Sequence, residues 1–205
     1  MSNLDQITLN AGDKSIAMPV LHPTTLGEMI EFGLYGWALS RASGAWVGLK
    51  AISETVESTA TVDLDAIRTV FVAPAGPFPP PGGLHFRLQD LPSPGIEERL
   101  AAKLDAARAF AHANPIDKLV VAPPDARIGI VTCGKAHLDV MEALRRLEIA
   151  PESLAAAGVR LLKIGQVFPL EELEKVAKAA QETGTWVISD EAYGDFIPDS
   201  ESAAC

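Results

Sequence analysis

Cysteine is scarce in this chain. Only Cys133 and Cys205 occur among 205 residues, and they form no CxxC pair. An iron–sulfur cluster takes about four thiolates, so this inventory argues against a cluster or a zinc site held by the chain alone. The four histidines, His22, His85, His112 and His137, share no metal spacing such as HxxxH or HExxH. Positive charge is also short: 17 Lys and Arg stand against 27 Asp and Glu, a net charge of −10. That balance excludes nucleic acid and an anionic membrane surface as natural partners. No apolar run approaches the roughly 18 residues of a membrane span. The opening MSNLDQITLNAGDK has no basic-then-apolar leader. The expectation is a reduced, cytoplasmic protein.

Apolar residues, by contrast, are plentiful at 48%, enough for one or two packed cores. Residues 1–16 are polar and read as a loose lead-in. The densest stretch follows, from Glu31 to Ser58, with two of the three tryptophans and several glycines. Leu26, Ile30, Leu34, Trp37 and Ala38 recur at helical spacing and predict a helix buried along that face. Thr25 and Glu28, three apart, predict its capping box. Gly27, Gly33 and Gly36 lie inside it at a cost of about 1 kcal/mol each, which implies that something packs on the bare backbone. At Ser43-Gly44 the pattern changes, and Trp46, Val47, Leu49 and Ile52 read as a buried strand.

From Asp63 the chain reads as a connector. IRTVFVAP and LHFRL are candidate short strands flanking the breaker-rich PAGPFPPPGG of 74–83. Ile96, Leu100, Leu104, Ala107 and Ala111 predict a helix over 95–113, ended by Asn114-Pro115. LVVAPP reads as a short strand or connector, and RIGIVTCG as a buried parallel strand. A helix follows with Leu138, Met141, Leu144 and Leu147 inward and Arg145 and Arg146 outward. VRLLKIGQVF is the next strand. A helix through Leu170, Leu173, Val176, Ala177 and Ala180 ends at Gly184, and TWVISD closes the series. This alternation predicts a three-layer α/β domain on a parallel sheet.

Few residues carry a chemical signal. GIVTCGK, Gly129 to Lys135, has P-loop spacing, but Ala136 stands where the Ser or Thr for magnesium belongs. Gly134 still ends a strand at a helix N-terminus, where backbone amides favour anions. Gly134 and Lys135 are therefore a candidate anion site for a carboxylate, a phosphate or a neighbouring domain. Cys133 reads as a small apolar residue, although its place before a helix would lower its pKa. His112 and His137 read as surface groups near helix ends. Glu54 and Glu57 read as exposed charges.

The run MPVLHPTTLGEMIEFGLYGWALSRASGAWVGLKAISETVES resembles the fused 2-oxoacid:ferredoxin oxidoreductases of the indolepyruvate type. PPGGLHFR, EERL…KLDAARAFAHAN, ARIGIVTCGKAHLDVMEALRRLEI and VRLLKIGQVFPLE extend the resemblance over about residues 17–172. It implies that residues 1–73 close a pyrimidine-binding domain, that 74–94 connect, and that 95–205 form a transketolase-C-like α/β domain. It also implies oxidative decarboxylation of an aryl 2-oxoacid such as indolepyruvate to an acyl-CoA, with electrons passed to ferredoxin. The family uses thiamine diphosphate, magnesium and iron–sulfur clusters. No GDG…N segment is present to bind the first two, so the expectation is that this chain alone holds no cofactor and works with other domains or subunits. The uncovered apolar face of the first helix predicts a homo-oligomer. The tail, LEELEKVAKAAQETGTWVISDEAYGDF, resembles instead a stretch of fold-type I pyridoxal-phosphate aminotransferases. That likeness would pair Asp190 with the pyridine nitrogen and Tyr193 with the phenolic oxygen. A non-catalytic interaction module and a pyridoxal enzyme fragment stand as the alternatives.

Overall fold

The structure is a computed structural model that describes residues 9–11, 14–16, 18–74, 82–85, 87–88, 95–168 and 186–189. The lead-in is more ordered than its polarity predicts: β1 (Leu9–Ala11) and β2 (Lys14–Ile16) pair antiparallel. Next come β3 (Val20–Leu21) and the helix α1 (Leu26–Ser43). Thr25 caps α1 by accepting from the Glu28 amide at 3.2 Å. Glu28 reaches back to the amide of Thr24 rather than Thr25, at 2.9 Å. The reciprocal box thus forms one residue out of register. Gly44, at φ 70°, ends the helix with its amide on Ser40 O, a left-handed C-terminal cap.

The buried face of α1 is not the one the spacing suggests. Phe32, Tyr35, Gly36, Leu39 and Ser43 face inward, while Trp37 is 71% exposed and Ile30 and Leu34 are each 42% exposed. α1 carries two apolar faces, and periodicity alone does not say which meets the core. The strand expected after it shrinks to β4 (Gly48–Leu49), and Trp46 is exposed. Ile52 instead precedes the one-turn helix α2 (Ser53–Val56), and a 3₁₀ turn covers Leu64–Ala66. IRTVFVAP forms no strand, and neither do Leu84, His85, Arg87 and Leu88 of LHFRL. The backbone of Val72 is held by a side chain: its amide gives to Asn114 Oδ1 at 2.7 Å, and its carbonyl takes from Nδ2 at 2.8 Å.

α3 (Gly95–Ala113) has the predicted bounds and stops at Asn114-Pro115. It buries Leu104, Ala107 and Phe110. Then follow β5 (Lys118–Val121), β6 (Ile128–Cys133), α4 (Gly134–Arg146), α5 (Pro151–Ala156), β7 (Val159–Ile164), β8 (Gln166–Phe168) and β9 (Trp186–Ser189). The four-stranded sheet has the order β5-β7-β6-β9. β6 pairs parallel with both β7 and β9, so RIGIVTCG is the inner parallel strand the sequence predicts, and TWVIS its neighbour. β5 lies antiparallel on the edge, a pairing the apolar pattern did not announce. Only the end of β6 is deeply buried: Val131 and Thr132 are covered, while Ile128 is 36% exposed.

VRLLKIGQVF divides at Gly165. Its second part, β8, leaves the large sheet and pairs antiparallel with β3, which β4 joins from the other side in parallel. On α4, Val140, Met141 and Leu144 pack on Val121, Leu154, Val159 and Leu161. Leu138 and Leu147 stay exposed, against expectation, and Arg145 and Arg146 are outside as predicted. The helix expected through Leu170–Ala180 lies outside the described residues. The two sides of the Pro/Gly connector share one core. Leu21, Phe32, Tyr35 and Leu39 meet Ala107, Phe110 and Ile116, with Tyr35 edge-on to Phe110 at 5.3 Å. These are observations of an α/β fold with a parallel centre and an antiparallel rim.

Candidate functional site

The carboxyl ends of β6 and β7 meet the loop between β3 and α1, and the polar side chains that gather there come from both halves of the chain. β6 ends in Thr132 and Cys133, β7 in Lys163 and Ile164. β5 runs the other way, so its first residue, Lys118, pairs with Lys163 and lies at the same end. In open α/β sheets this is where ligands bind, because helix N-termini and strand-end side chains converge there.

Glu28 is the centre. Its Oε1 accepts from Lys163 Nζ and lies 3.5 Å from Lys118 Nζ; its Oε2 takes the Thr24 amide. The Lys163 and Glu28 side chains are only 4% and 12% exposed, so this is a buried pair. Burial alone would raise the Glu28 carboxyl. The Lys163 and Thr24 hydrogen bonds and the two lysine charges outweigh it and hold the group below the usual carboxylate range. Burial lowers the Lys163 ammonium despite its partner. The Phe32 ring lies 5.9 Å from its Nζ, a cation–π contact.

Beside this pair, Thr132 Oγ1 lies 3.2 Å from Leu162 O and 2.9 Å from His137 Nδ1. The two contacts tie the His137 ring to the β7 backbone through Thr132. Burial and then the Lys163 charge lower the His137 pKa. His137 is thus half-buried and engaged, not the free surface group expected.

Gly134 is buried at the head of α4 with φ +50°. A Cβ there would stand 2.1 Å from His22 Nε2, so glycine is required both by the backbone and by the imidazole lying on it. His22 is 5% exposed, and burial, then the nearby Lys50 charge, push it down to about 4. Lys50 also feels the Cys133 sulfur, while its own pKa is lowered by burial. Lys135, the other member of the candidate anion site, binds Asp139 one turn on through 2.6 and 2.8 Å contacts. That hydrogen bond raises its pKa. So Gly134 sits in the polar seam and Lys135 is turned to its own helix. Glu54 and Glu57 are exposed, as read. Asp190 and Tyr193 lie outside the described residues.

Chemically, the seam offers a buried carboxylate, two lysines, a half-buried imidazole at His137, and a thiol. Sequence reasoning missed Glu28, Lys163, Lys118, His22 and Lys50 as a group. Glu28 was legible only as a cap, and nothing in local spacing joins residues 135 positions apart. Among the described residues no group of three or more His, Cys, Asp or Glu is placed to hold a metal ion. No helix among them is long and apolar enough to cross a membrane.

Residues 118–192 match the family model of the indolepyruvate oxidoreductase domain. Over that segment the chain is similar to this oxidoreductase domain. The oxidoreductase match spans the sheet from β5 to β9 and takes in much of the tail that resembles an aminotransferase. Across the fold, the chain is similar to the 2-oxoglutarate:ferredoxin oxidoreductase from Magnetococcus marinus, solved with 2-oxoglutarate, coenzyme A and succinyl-CoA bound. The TM-score is 0.54 at 18% identity, over 96% of this chain and 39% of that one. At that identity the likeness speaks for shared architecture alone. The chain spans about 39% of the length of that oxidoreductase. A search of curated proteins found no match.

Proposed function

We propose that the chain is part of a thiamine-diphosphate-dependent, indolepyruvate-type 2-oxoacid:ferredoxin oxidoreductase of the cytoplasm. In this reading residues 1–73 are the end of its pyrimidine-binding domain, 74–94 the connector, and 95–205 its transketolase-C-like domain. The observation that carries the reading is the family match over 118–192, laid on a parallel β7-β6-β9 centre. The parent reaction is oxidative decarboxylation of an aryl 2-oxoacid to its acyl-CoA, with ferredoxin as electron acceptor.

The donor set in hand does not fit the cofactors of that reaction. Two cysteines fall short of the thiolates a cluster needs, and the described acidic residues form no cation cage. The cofactors belong to other domains or subunits, and this chain supplies a scaffold with the Glu28–Lys163–His137 seam enclosed at its strand ends. Calorimetry of the isolated chain against thiamine diphosphate with magnesium should show no heat of binding. Coexpression with the remaining enzyme parts should give viologen reduction that depends on indolepyruvate and coenzyme A. Micromolar thiamine diphosphate binding by the chain alone overturns the scaffold assignment. A coexpressed complex without oxoacid-dependent reduction overturns the parent reaction.

A further inference from the structure

The parallel pair β3–β4 runs on by one residue, because the Lys50 amide gives to Leu21 O at 2.7 Å. His22 and Lys50 are therefore neighbours on one side of the pair, two residues beyond Val20 and Gly48. The His22 amide reaches Gly165 O at 2.8 Å, and its ring lies on Gly134 at the head of α4. Cys133 precedes that glycine and packs, as Val20 does, on the cluster of Val131, Ile164 and Val167. Residues from the two halves of the chain thus bring an amine and a thiol together where β6 ends.

Both groups are set for nucleophilic chemistry. Cys133 is the N-cap of the 13-residue α4, and its side chain makes no capping hydrogen bond. The first turn of α4 carries no acidic residue. A thiol in that place feels the positive end of the helix, which favours the thiolate. Cys133 and Lys50 are both half-buried, so a small reagent can meet them. Burial lowers the Lys50 ammonium pKa, while the Cys133 sulfur acts the other way. A partly desolvated lysine is a better nucleophile, since more of it is uncharged. Neither group belongs to the Glu28–Lys163 pair.

We propose that Cys133 and Lys50 form a self-acylation site for acyl thioesters, with the thiol as point of entry and the amine as final acceptor. The pairing selects this class of reagent. A thiolate exchanges with a thioester at little net cost, and a neighbouring amine gives the acyl group a downhill exit to an amide. Oxidation of the thiol would give Lys50 no part. In the first step the Cys133 thiolate attacks the thioester carbonyl carbon. A new C–S bond replaces the old one, and the leaving thiolate takes the electron pair and is protonated by solvent. In the second step uncharged Lys50 Nζ attacks the Cys133 thioester. A C–N bond forms, the C–S bond breaks, and the Nζ proton goes to the departing sulfur. Thioester and amine become amide and thiol, with no oxidant or reductant. Acylation removes the Lys50 charge, one of the two causes that keep His22 neutral. The oxidoreductase reading enters only as a source of the reagent, since its product is an acyl-CoA.

Mapping acetyl groups by mass spectrometry, after the full chain meets S-acetyl-N-acetylcysteamine, tests the relay. No turnover by an oxidoreductase is needed, so failure here leaves that reading standing. Lys50 should be acetylated ahead of Lys103 on α3. Thiolate is intrinsically the stronger nucleophile, so Cys133→Ser should slow Lys50 acetylation at least about tenfold and leave Lys103 unchanged. Cys133→Ala, an apolar replacement for a half-buried side chain, should do the same. Cys205→Ser should change neither lysine. Lys50→Arg keeps the charge and should strand the acetyl group on Cys133, as a thioester that hydroxylamine removes. Lys50 acetylation at the wild-type rate in Cys133→Ser and Cys133→Ala overturns the proposal. So does Lys50→Arg protein with no hydroxylamine-sensitive acetyl group at Cys133.

Discussion

Glu28 and Lys163 join the start of α1 to the end of β7, and cutting that link has a calculable cost. Both side chains are nearly enclosed. Removing one partner of such a pair leaves an uncompensated buried charge, at about 3–5 kcal/mol. In Lys163→Met, Glu28 keeps the Lys118 ammonium at 3.5 Å and the Thr24 amide at 2.9 Å, so the lower figure, about 3 kcal/mol, applies. In Glu28→Gln the amide oxygen still accepts from Thr24, but Lys163 keeps its charge against the Phe32 ring. About 3 kcal/mol is again expected. The double variant carries neither charge and should lose far less than the sum, a coupling of about 2 kcal/mol or more. For a chain of this size, 3 kcal/mol moves the melting temperature by about 6–12 °C. The pair also has an acid limb. Glu28 is held below its unfolded value, so its contribution is complete above the ordinary carboxylate range and is lost as pH falls through the folded pKa. Urea denaturation of the four proteins at pH 7 and at pH 3 measures this. Single variants each costing under about 1 kcal/mol, or energies that simply add at pH 7, refute a buried, mutually dependent pair.

His22 gives a second acid-sensitive contribution. It is neutral in the fold, with its pKa near 4 against 6.5 unfolded, so stability should fall from pH 6.5 down to 4 by up to about 3 kcal/mol. His22→Gln should flatten that limb, and a His22 NMR titration midpoint near 6.5 would sink the assignment. Ile130 sits on β6 between Leu161 and Ile188 and packs on the α4 side of the sheet. Ile130→Asp puts an unpaired charge there and should unfold the α/β sheet; circular dichroism and melting identical to wild type would contradict the strand's placement.

What the sequence discloses depends on how local the cause is. α3 has both signals in its own residues, the apolar face and the Asn114-Pro115 stop, and its bounds come out as read. β6 is legible for the same reason, as a continuous apolar run that only a two-sided strand explains. The Thr25 cap is local and forms. Failures begin where the decision lies elsewhere in the chain. Val47 and Leu49 look like a long strand, but Val20–Leu21 offers only two residues to pair with, so β4 is two residues long and Trp46 stays outside. VRLLKIGQVF looks like one strand. It divides because Asp117 Oδ1 takes the Gly165 and Gln166 amides at 2.7 and 3.3 Å, turning β8 toward β3. The seam around Glu28 was hidden for the same reason, since its members come from β3–α1, β4, β5, β6, α4 and β7.

The two inner glycines of α1 make this distinction measurable. Gly33 and Gly36 are the same residue in the same helix, and local propensity assigns both the same cost, about 1 kcal/mol against alanine. Their surroundings differ. At Gly33 the added methyl meets no described atom within 4 Å, so Gly33→Ala should stabilise the dilute monomer by about 0.4–1 kcal/mol. At Gly36 it would press on Leu21 Cδ1 at 3.2 Å and Val47 Cγ1 at 3.3 Å. Leu21 is wholly buried and has nowhere to move. Overpacking of that kind costs about 1–3 kcal/mol, which cancels or exceeds the gain in propensity. Gly36→Ala should therefore lie at least about 1 kcal/mol below Gly33→Ala in urea denaturation at low micromolar concentration. Equal stabilisation by both would mean that Leu21 and Val47 do not press on α1, and that its inward face is not the one assigned here.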